Sequence, residues 1–238
     1  MNKDLIYWLP HGLIYYPYKM LFPMRFLRQQ ARRKKCASKD ENSLQGFDKH
    51  QCIFVHIPKA AGVSLANNLF GDLGGGHLPI YRYYQVYSPS EFKRYFKFTI
   101  VRNPWDRLVS AYFFLKEGGF NDVDKKWYDK NISHYRNFDS FVKGWMSKTS
   151  VYDFIHFVPQ YRYIALGDNI LVDKVYRFES MDETLNDLSK RFSMKLENKH
   201  LNKTGSREKG YRQYYTKESE ILVAKIYKKD VELFGYSF

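Results

Sequence analysis

The stretch that decides the fold is residues 52–70, which read CIFVHIPKAAGVSLANNLF. Its first part, Cys52–Ile57, is a short, mostly apolar run with several β-branched residues, which is typical of a buried strand. Pro58 ends that run, because proline has no backbone N–H to donate to a sheet. Residues 64–70 then carry apolar side chains at helical spacing. The stretch therefore predicts a strand, a short loop and a helix.

The loop between that strand and that helix, residues 58–64, has the composition of a phosphate-binding turn. Small residues let backbone N–H groups approach an anion, and the N-terminus of the following helix adds donors and a positive dipole end. Lys59 supplies a positive charge and Ser64 a hydroxyl. In metal-dependent kinases the lysine follows the last glycine of the loop, whereas Lys59 precedes Gly62. The alternative interpretation is an ordinary strand-to-helix turn.

A second strand-to-helix junction follows. Phe96–Val101 is a strand candidate, and Asn103-Pro104 is a typical helix start, with an asparagine N-cap and proline at the first helical position. Arg102 lies at the carboxyl end of the strand, where open α/β sheets bind ligands, and Ser110 lies about two turns into the helix. Together they predict a second anion site beside the first. Taken alone, an arginine such as Arg102 is more often a salt-bridge partner, and a serine such as Ser110 more often a helix-surface residue.

Three further segments complete the predicted fold. They are a strand candidate, Lys174–Phe178, and two amphipathic helices, Met181–Phe192 and Glu218–Phe234. Strands that alternate with helices favour a parallel sheet. We therefore predict an α/β fold, a P-loop-like three-layer sandwich with a central, mostly parallel sheet flanked by helices.

Composition excludes several classes of protein. The chain has 238 residues, enough for a sizeable core, and 44% are hydrophobic, which excludes a mainly disordered chain. Charged residues make up 27%, and no purely apolar window of about 18 residues occurs, which excludes a polytopic membrane protein. Two cysteines, Cys36 and Cys52, are too few for a disulfide framework, and no His/Cys/Asp cluster has metal-ligand spacing. We therefore expect no metal.

Positive charge is concentrated at the N-terminus. The formal net charge is +14, and residues 1–36 carry eight Lys and Arg against one Asp, or +7. Residues 5–27 are apolar and aromatic, but prolines and charges interrupt them, so a membrane-spanning helix or a signal peptide is not expected. We interpret residues 1–50 as a basic, aromatic segment that ends in a polar linker over 36–50, ahead of a domain over 51–238.

The basic segment over residues 1–36 predicts peripheral contact with an anionic membrane. The alternatives are that it packs on the domain or forms a solvated tail. Because no membrane span is visible, we expect a cytoplasmic protein, bound peripherally to the inner face of a membrane if this contact forms.

Two segments resemble the nucleotide-binding motifs of carbohydrate sulfotransferases. They are Phe54–Ser64, which reads FVHIPKAAGVS, and Phe98–Tyr112, which reads FTIVRNPWDRLVSAY. The branch is the one that contains heparan sulfate 2-O-sulfotransferase and the chondroitin and HNK-1 sulfotransferases, with many bacterial relatives. The resemblance runs from about residue 51 to the end of the chain. It includes three further segments, His156–Gln160, Arg177–Glu179 and Phe234–Phe238.

The resemblance implies that the sulfuryl donor is 3′-phosphoadenosine 5′-phosphosulfate (PAPS). It also implies which residues bind that donor. The 5′-phosphosulfate is assigned to Lys59, Ala60, Ala61, Gly62, Val63 and Ser64, and the 3′-phosphate to Arg102 and Ser110. A late basic loop, which closes over the nucleotide in relatives, adds Lys203, Thr204 and Lys209 as candidates. The alternative is that this segment is a surface loop that binds no ligand.

One departure from the family pattern lies in the first motif. Relatives often carry threonine at the places that Ala60 and Val63 occupy here. Two hydroxyl donors are therefore missing, so backbone N–H groups and Ser64 must contribute more to donor binding.

Sulfuryl transfer requires in-line placement, charge stabilisation and a base for the acceptor hydroxyl. Lys59 is suited to neutralise the negative charge that builds on the leaving phosphate oxygen, and a neutral imidazole is suited to act as the base. By resemblance, His77, which follows three glycines, matches the position of the family's catalytic histidine. His156 is the rival, in a segment that relatives share. Either histidine is otherwise a surface or structural residue.

The acceptor that the resemblance implies is a carbohydrate hydroxyl, on a glycan, a polysaccharide or a glycolipid. Arg82, Tyr83 and Tyr84 are substrate candidates, because aromatic rings stack on sugars and arginine pairs with carboxylate or sulfate groups. Such residues also pack within folds. Two other functions are weighed: a metal-dependent, kinase-like nucleotide enzyme, and a non-catalytic basic module that binds nucleic acid. The motif order disfavours the first, and we expect no nucleic-acid partner.

Overall fold

A computed structural model describes residues 5–197 and 210–238 of the chain. These residues divide into two compact units. Unit 1 comprises residues 5–101 and 162–197, and unit 2 comprises residues 102–161 and 210–238.

Five strands are present in the described residues. They are β1 (Cys52–Val55), β2 (Phe96–Val101), β3 (Ala165–Leu166), β4 (Asn169–Ile170) and β5 (Lys174–Arg177). The central sheet is parallel, in the order β1-β2-β5, and β3 pairs with β4 as a short antiparallel hairpin. Helices flank the central sheet, so the predicted α/β class is confirmed.

Twelve α-helices are present in the same described ranges. They are α1 (His11–Leu21), α2 (Pro23–Lys34), α3 (Gln45–His50), α4 (Gly62–Phe70), α5 (Pro89–Arg94), α6 (Pro104–Lys116), α7 (Asp122–Asn131), α8 (Phe138–Phe141), α9 (Tyr161–Ile164), α10 (Met181–Phe192), α11 (Lys217–Ile226) and α12 (Lys228–Phe234). Short 3₁₀ helices lie at Leu5–Trp8, Ile80–Gln85, Val151–Asp153, Phe178–Ser180 and Tyr211–Tyr214, and a π-helix continues α8 over Val142–Met146.

The central strands are buried, and their sequence is mostly apolar, with Lys97 and Thr99 as the polar residues of β2. All of β1 and nearly all of β2 are buried, as expected of parallel strands covered on both sides. In the register, Phe54 lies opposite Phe98, and Thr99 lies opposite Val175. Both β1 and β2 therefore deliver the residues that follow them to the same end of the sheet.

The predicted linker over residues 36–50 is not entirely a linker. Its second part forms α3, and Leu44 and Phe47 are fully buried. Two apolar side chains in an otherwise polar stretch are enough to dock this short helix in unit 1. The segment ahead of it forms α1 and α2, which pack on unit 1 through Tyr7, Ile14 and Phe26.

The helix predicted over residues 218–234 is interrupted at Tyr227, which separates α11 from α12. Tyr227 is buried, and its hydroxyl donates to the carbonyl of Phe157 at 2.7 Å. This anchor holds the residue at φ −100° and ψ 24°, outside the helical path. Sequence periodicity does not reveal such a break, because the apolar spacing continues across it.

Each helix in the described ranges is too short or too polar to cross a membrane.

Candidate functional site

The loop that joins β1 to α4 has an unusual backbone. Lys59 and Ala61 have φ values of 67° and 62°, in the left-handed region that non-glycine residues rarely occupy. Each such residue costs roughly 1–2 kcal/mol in the free chain, so the surrounding fold must hold the loop in this shape. Left-handed residues within a turn point successive backbone N–H groups into a concavity that suits an anion.

The N-terminus of α4 adds to this concavity. Its N-cap is Ala61, which has no side-chain hydrogen bond to offer, and no acidic residue lies in the first turn. The first N–H groups of the helix and its positive dipole end are therefore not satisfied by the helix's own side chains. Ser64 and Val63 lie in this first turn, and the side chain of Val63 is exposed.

Gly62 is required by a close contact with His56. A Cβ atom at position 62 would lie 2.0 Å from His56 Cδ2 and 2.3 Å from Nε2, far inside contact distance. The imidazole therefore lies directly against the start of α4. Burial, reinforced by the charges of His77 and Lys59, holds the pKa of His56 well below its ordinary value. A neutral His56 avoids placing a buried cation beside Lys59.

His77 reaches this cluster from the glycine-rich segment. Its Nδ1 lies 2.9 Å from the carbonyl oxygen of His56, and the two rings are 4.2 Å apart between centroids. Because a carbonyl only accepts hydrogen bonds, Nδ1 carries the proton, and Nε2 is the basic nitrogen of the neutral ring. The structure thus brings together Lys59, His56 and His77 in unit 1.

The predicted substrate residues lie in a packed region. Tyr83 is fully buried, and its hydroxyl lies where a Cβ of Gly75 would be, so it belongs to the core and cannot contact a glycan. Tyr84 stacks on His11 at 4.1 Å between ring centroids. Arg82 donates to the hydroxyl of Tyr7 at 2.9 Å. We correct the sequence interpretation for Tyr83: this 3₁₀ segment supports the N-terminal helices.

In unit 2, Arg102 is held by its backbone and its side chain. Its N–H donates to Gln160 Oε1 at 2.9 Å, and its carbonyl accepts from Gln160 Nε2 at 2.8 Å. Its guanidinium Nε donates to Asp106 Oδ2 at 2.7 Å, which confirms the salt-bridge alternative without excluding a ligand. The residue is buried, so the planar side chain has a defined direction.

Asp230 supports this arrangement and was missed by the sequence interpretation. Its carboxylate accepts from the backbone N–H groups of Gln160 and Tyr161, at 2.7 and 2.8 Å. Burial raises the pKa of Asp230 to about 6. The available signal was a single acidic residue next to apolar positions of the last helix. Its partners lie about 70 residues away, so sequence alone does not identify them.

Ser110 is the second side chain predicted to bind an anion. It is 2% exposed, and no described residue lies within hydrogen-bonding distance of its Oγ. A buried hydroxyl without a partner costs free energy, so its presence requires an explanation. The N-terminus of the same helix, α6, is by contrast already capped, because Asn103 Oδ1 accepts from the N–H of Trp105.

His156, the rival base, lies in an aromatic environment in unit 2. The rings of Phe114 and Phe154 are 5.1 and 5.2 Å from it between centroids, and its Nε2 lies 3.3 Å from Asp124 Oδ1. Asp124 also accepts from the N–H of Phe120. This buried contact favours a structural role for His156. Three further candidates, Lys203, Thr204 and Lys209, lie outside the described residues.

Comparison with known proteins gives two matches. A family model described as the sulfotransferase family covers residues 46–237, which is most of the chain. An uncharacterized protein of Archaeoglobus fulgidus is 29% identical over 104 residues, which make up 43% of this chain and 72% of that protein. The second match names no activity, so the functional information comes from the family, whose reaction is sulfuryl transfer.

Proposed function

Because the chain belongs to the sulfotransferase family, we propose that it transfers a sulfuryl group from PAPS to a carbohydrate hydroxyl. The observation that carries the donor assignment is the loop before α4, with its left-handed Lys59 and Ala61 and its uncapped helix N-terminus. Backbone donors of this kind suit a phosphosulfate. They also compensate for the threonine hydroxyls that Ala60 and Val63 lack.

The second part of the donor assignment is the 3′-phosphate, which we give to Arg102 and Ser110. The buried hydroxyl of Ser110 has no acceptor among the described residues, and a phosphate oxygen would supply one. The guanidinium of Arg102 is planar and cationic, which suits a two-point contact with a phosphate. Lys203, Thr204 and Lys209 stay candidates for the same ligand by resemblance.

PAPS supplies an activated sulfuryl group whose leaving group is a phosphate. We assign the remaining chemistry to two side chains of unit 1. Lys59 neutralises the charge that builds on the leaving oxygen. His77 Nε2 takes the proton of the acceptor hydroxyl as its oxygen bonds to sulfur. The hydrogen bond from His77 Nδ1 to the His56 carbonyl favours the neutral tautomer in which Nε2 carries the lone pair.

Donor binding is tested by thermal shift with three ligands: the desulfated product PAP, ATP with Mg²⁺, and an oligonucleotide. We expect stabilisation by PAP, lost in Arg102→Ala. A shift with ATP and Mg²⁺ alone would indicate a kinase-like enzyme. A shift with the oligonucleotide alone, which weakens steeply with salt and ignores Lys59→Ala, would indicate a nucleic-acid module.

The base is tested by single-turnover kinetics of His77→Gln and His156→Gln. Loss of a general base lowers turnover by roughly 10²- to 10⁴-fold. We expect that loss for His77→Gln with PAP affinity retained, and a lower melting temperature for His156→Gln. The reverse pattern would transfer the role to His156. Screening a glycan panel with labelled donor then identifies the acceptor.

A further inference from the structure

The outer face of the N-terminal helices α1 and α2 is apolar. Nine large apolar side chains are exposed between residues 8 and 27, and eight are spread over the rest of the described chain. The nine are Trp8, Leu9, Leu13, Tyr16, Met20, Leu21, Phe22, Met24 and Leu27. We call these nine residues the N-terminal apolar face.

The spacing of the N-terminal apolar face matches a continuous stripe on each helix. On α1, Leu13, Tyr16 and Met20 are spaced i, i+3 and i+7. On α2, Met24 and Leu27 are spaced i and i+3, and the exposed Arg28 follows at i+4. A helix that packs on a water-soluble domain normally turns polar residues outward, so this pattern is inverted.

The inner faces of both helices are already used, so the outer side chains have no room to turn inward. Ile14 packs against Tyr7 and Tyr81, and His11 Nε2 lies 3.0 Å from the Tyr87 carbonyl. On α2, Arg33 forms ion pairs with Asp48 and Glu91 at 2.8 and 2.7 Å. These contacts hold the N-terminal apolar face outward.

The charge of the segment specifies the occupant. Residues 5–39 contain eight Lys and Arg and no Asp or Glu. Two exposed arginines, Arg25 and Arg28, lie among the apolar residues, with the Arg25 guanidinium 5.5 Å from the Phe22 ring centroid. Arg33 and Lys35 are paired with acids outside this segment, whereas Arg25 and Arg28 border the apolar side chains at the exposed surface. Apolar side chains bordered by exposed arginines complement lipid acyl chains beneath anionic headgroups.

We propose that the N-terminal apolar face binds an anionic lipid bilayer, with α1 and α2 lying in the plane of the interface. The proposal does not depend on the sulfuryl-transfer reaction. It requires only that the apolar stripe and the basic residues act together, which gives two separate ways to test it.

The test measures co-sedimentation of the full chain with vesicles of equal parts phosphatidylglycerol and phosphatidylcholine, or of phosphatidylcholine alone. We expect binding to the anionic vesicles only, weakened by salt. The double variant Leu13→Gln/Met20→Gln should bind roughly tenfold more weakly or worse. A matched control is Val123→Gln/Ile221→Gln, whose side chains are exposed to 68% and 57%, compared with 58% and 76% for Leu13 and Met20.

Charge is tested separately. Arg25→Gln/Arg28→Gln should weaken binding about 25-fold at low salt, since each basic residue near an anionic surface contributes about fivefold. Lys195→Gln/Lys228→Gln removes the same charge from other exposed positions and should bind as the wild type does. Quenching by brominated lipids gives a structural readout, since Trp8 is the exposed tryptophan of this face. Trp8→Phe should remove the quenched component.

Several results would overturn the proposal. One is the absence of wild-type binding to anionic vesicles, and another is an equal loss of binding in the matched controls. A third is a dimer, detected by analytical ultracentrifugation, that Leu13→Gln/Met20→Gln dissociates while the wild type ignores vesicles. That result would assign the N-terminal apolar face to a second copy of the chain. Circular dichroism of each variant confirms that the helices are retained.

Discussion

The junctions after β1 and β2 use different chemistry. After β1, the loop offers backbone N–H groups, because Lys59 and Ala61 are left-handed and α4 has no side-chain cap. After β2, the helix N-terminus is closed by Asn103, and the groups that we propose as ligand contacts are two side chains, Arg102 and Ser110. The first junction therefore depends on which residues permit a backbone shape, and the second on specific functional groups.

The largest effect is expected for Gly62→Ala, which tests the junction after β1, here called the backbone junction. The new Cβ would lie 2.0 Å from His56 Cδ2, so either the imidazole or the loop must move. Overpacking of this kind costs about 1–3 kcal/mol, and we expect PAP affinity to fall about 10- to 100-fold in isothermal titration. Gly12→Ala is the control, because its Cβ would lie 3.8 Å from the nearest atom, in Tyr16. Equal PAP affinity in both variants would contradict the backbone role.

The next largest effect is expected for Arg102→Lys, which tests the junction after β2, here called the side-chain junction. Lysine keeps the charge and can still pair with Asp106, but it loses the planar fork that grips a phosphate at two points. We expect PAP affinity to fall by about tenfold, as for loss of one charge-assisted hydrogen bond. Arg107→Lys, at a buried arginine within α6, should lower the melting temperature and leave PAP affinity unchanged. If both variants bind PAP normally, Arg102 is structural.

A smaller effect is expected for Ser110→Ala, which separates ligand binding from stability. Its Oγ has no partner within the described residues, so removing it should leave the melting temperature unchanged or slightly higher. PAP affinity should fall about fivefold to tenfold, the equivalent of one hydrogen bond. Ser219→Ala should lower the melting temperature and leave PAP affinity unchanged, because Ser219 Oγ accepts from the backbone N–H of Thr216 in the capping box of α11. A melting temperature that drops for Ser110→Ala would mean that the hydroxyl serves the fold.

The smallest expected effect is a gain in PAPS affinity. Val63→Thr keeps the shape of an exposed side chain in the first turn of α4 and adds a hydroxyl donor. If the backbone junction binds the phosphosulfate, PAPS affinity should rise about twofold to fivefold. Ile221→Thr places the same kind of change on α11 and should have no effect. If Val63→Thr binds PAPS no more tightly than the wild type does, the phosphosulfate does not bind at this turn.

Much of the sheet could be predicted from the sequence because its signals are local. The run over 96–101 matches β2, and the amphipathic spacing over 181–192 matches α10. Asn103 and Pro104 predicted the start of α6, and the structure confirms Asn103 as the N-cap and Pro104 as the first helical residue. Apolar runs and caps depend on neighbouring residues only, so one sequence is enough to find them.

What could not be predicted depends on distant contacts. Tyr83 looked like a sugar-binding residue, but its environment is created by residues 8 to 39 positions away, such as Gly75 and Leu44. Likewise, Gln160 holds Arg102 across 58 residues, and Asp230 in turn holds Gln160 across 70 residues. The sequence shows which aromatic and polar side chains are present. Whether they face a ligand or the core depends on tertiary packing.

The backbone of Ala61 has a consequence for anyone who engineers this protein. An alanine at φ 62° would be relieved of strain by glycine, which reaches that conformation at no steric cost. Selection for heat tolerance alone would therefore favour Ala61→Gly. The same change would widen the range of conformations open to the loop, so thermal stability would rise while the proposed donor binding weakened, both through a single methyl group.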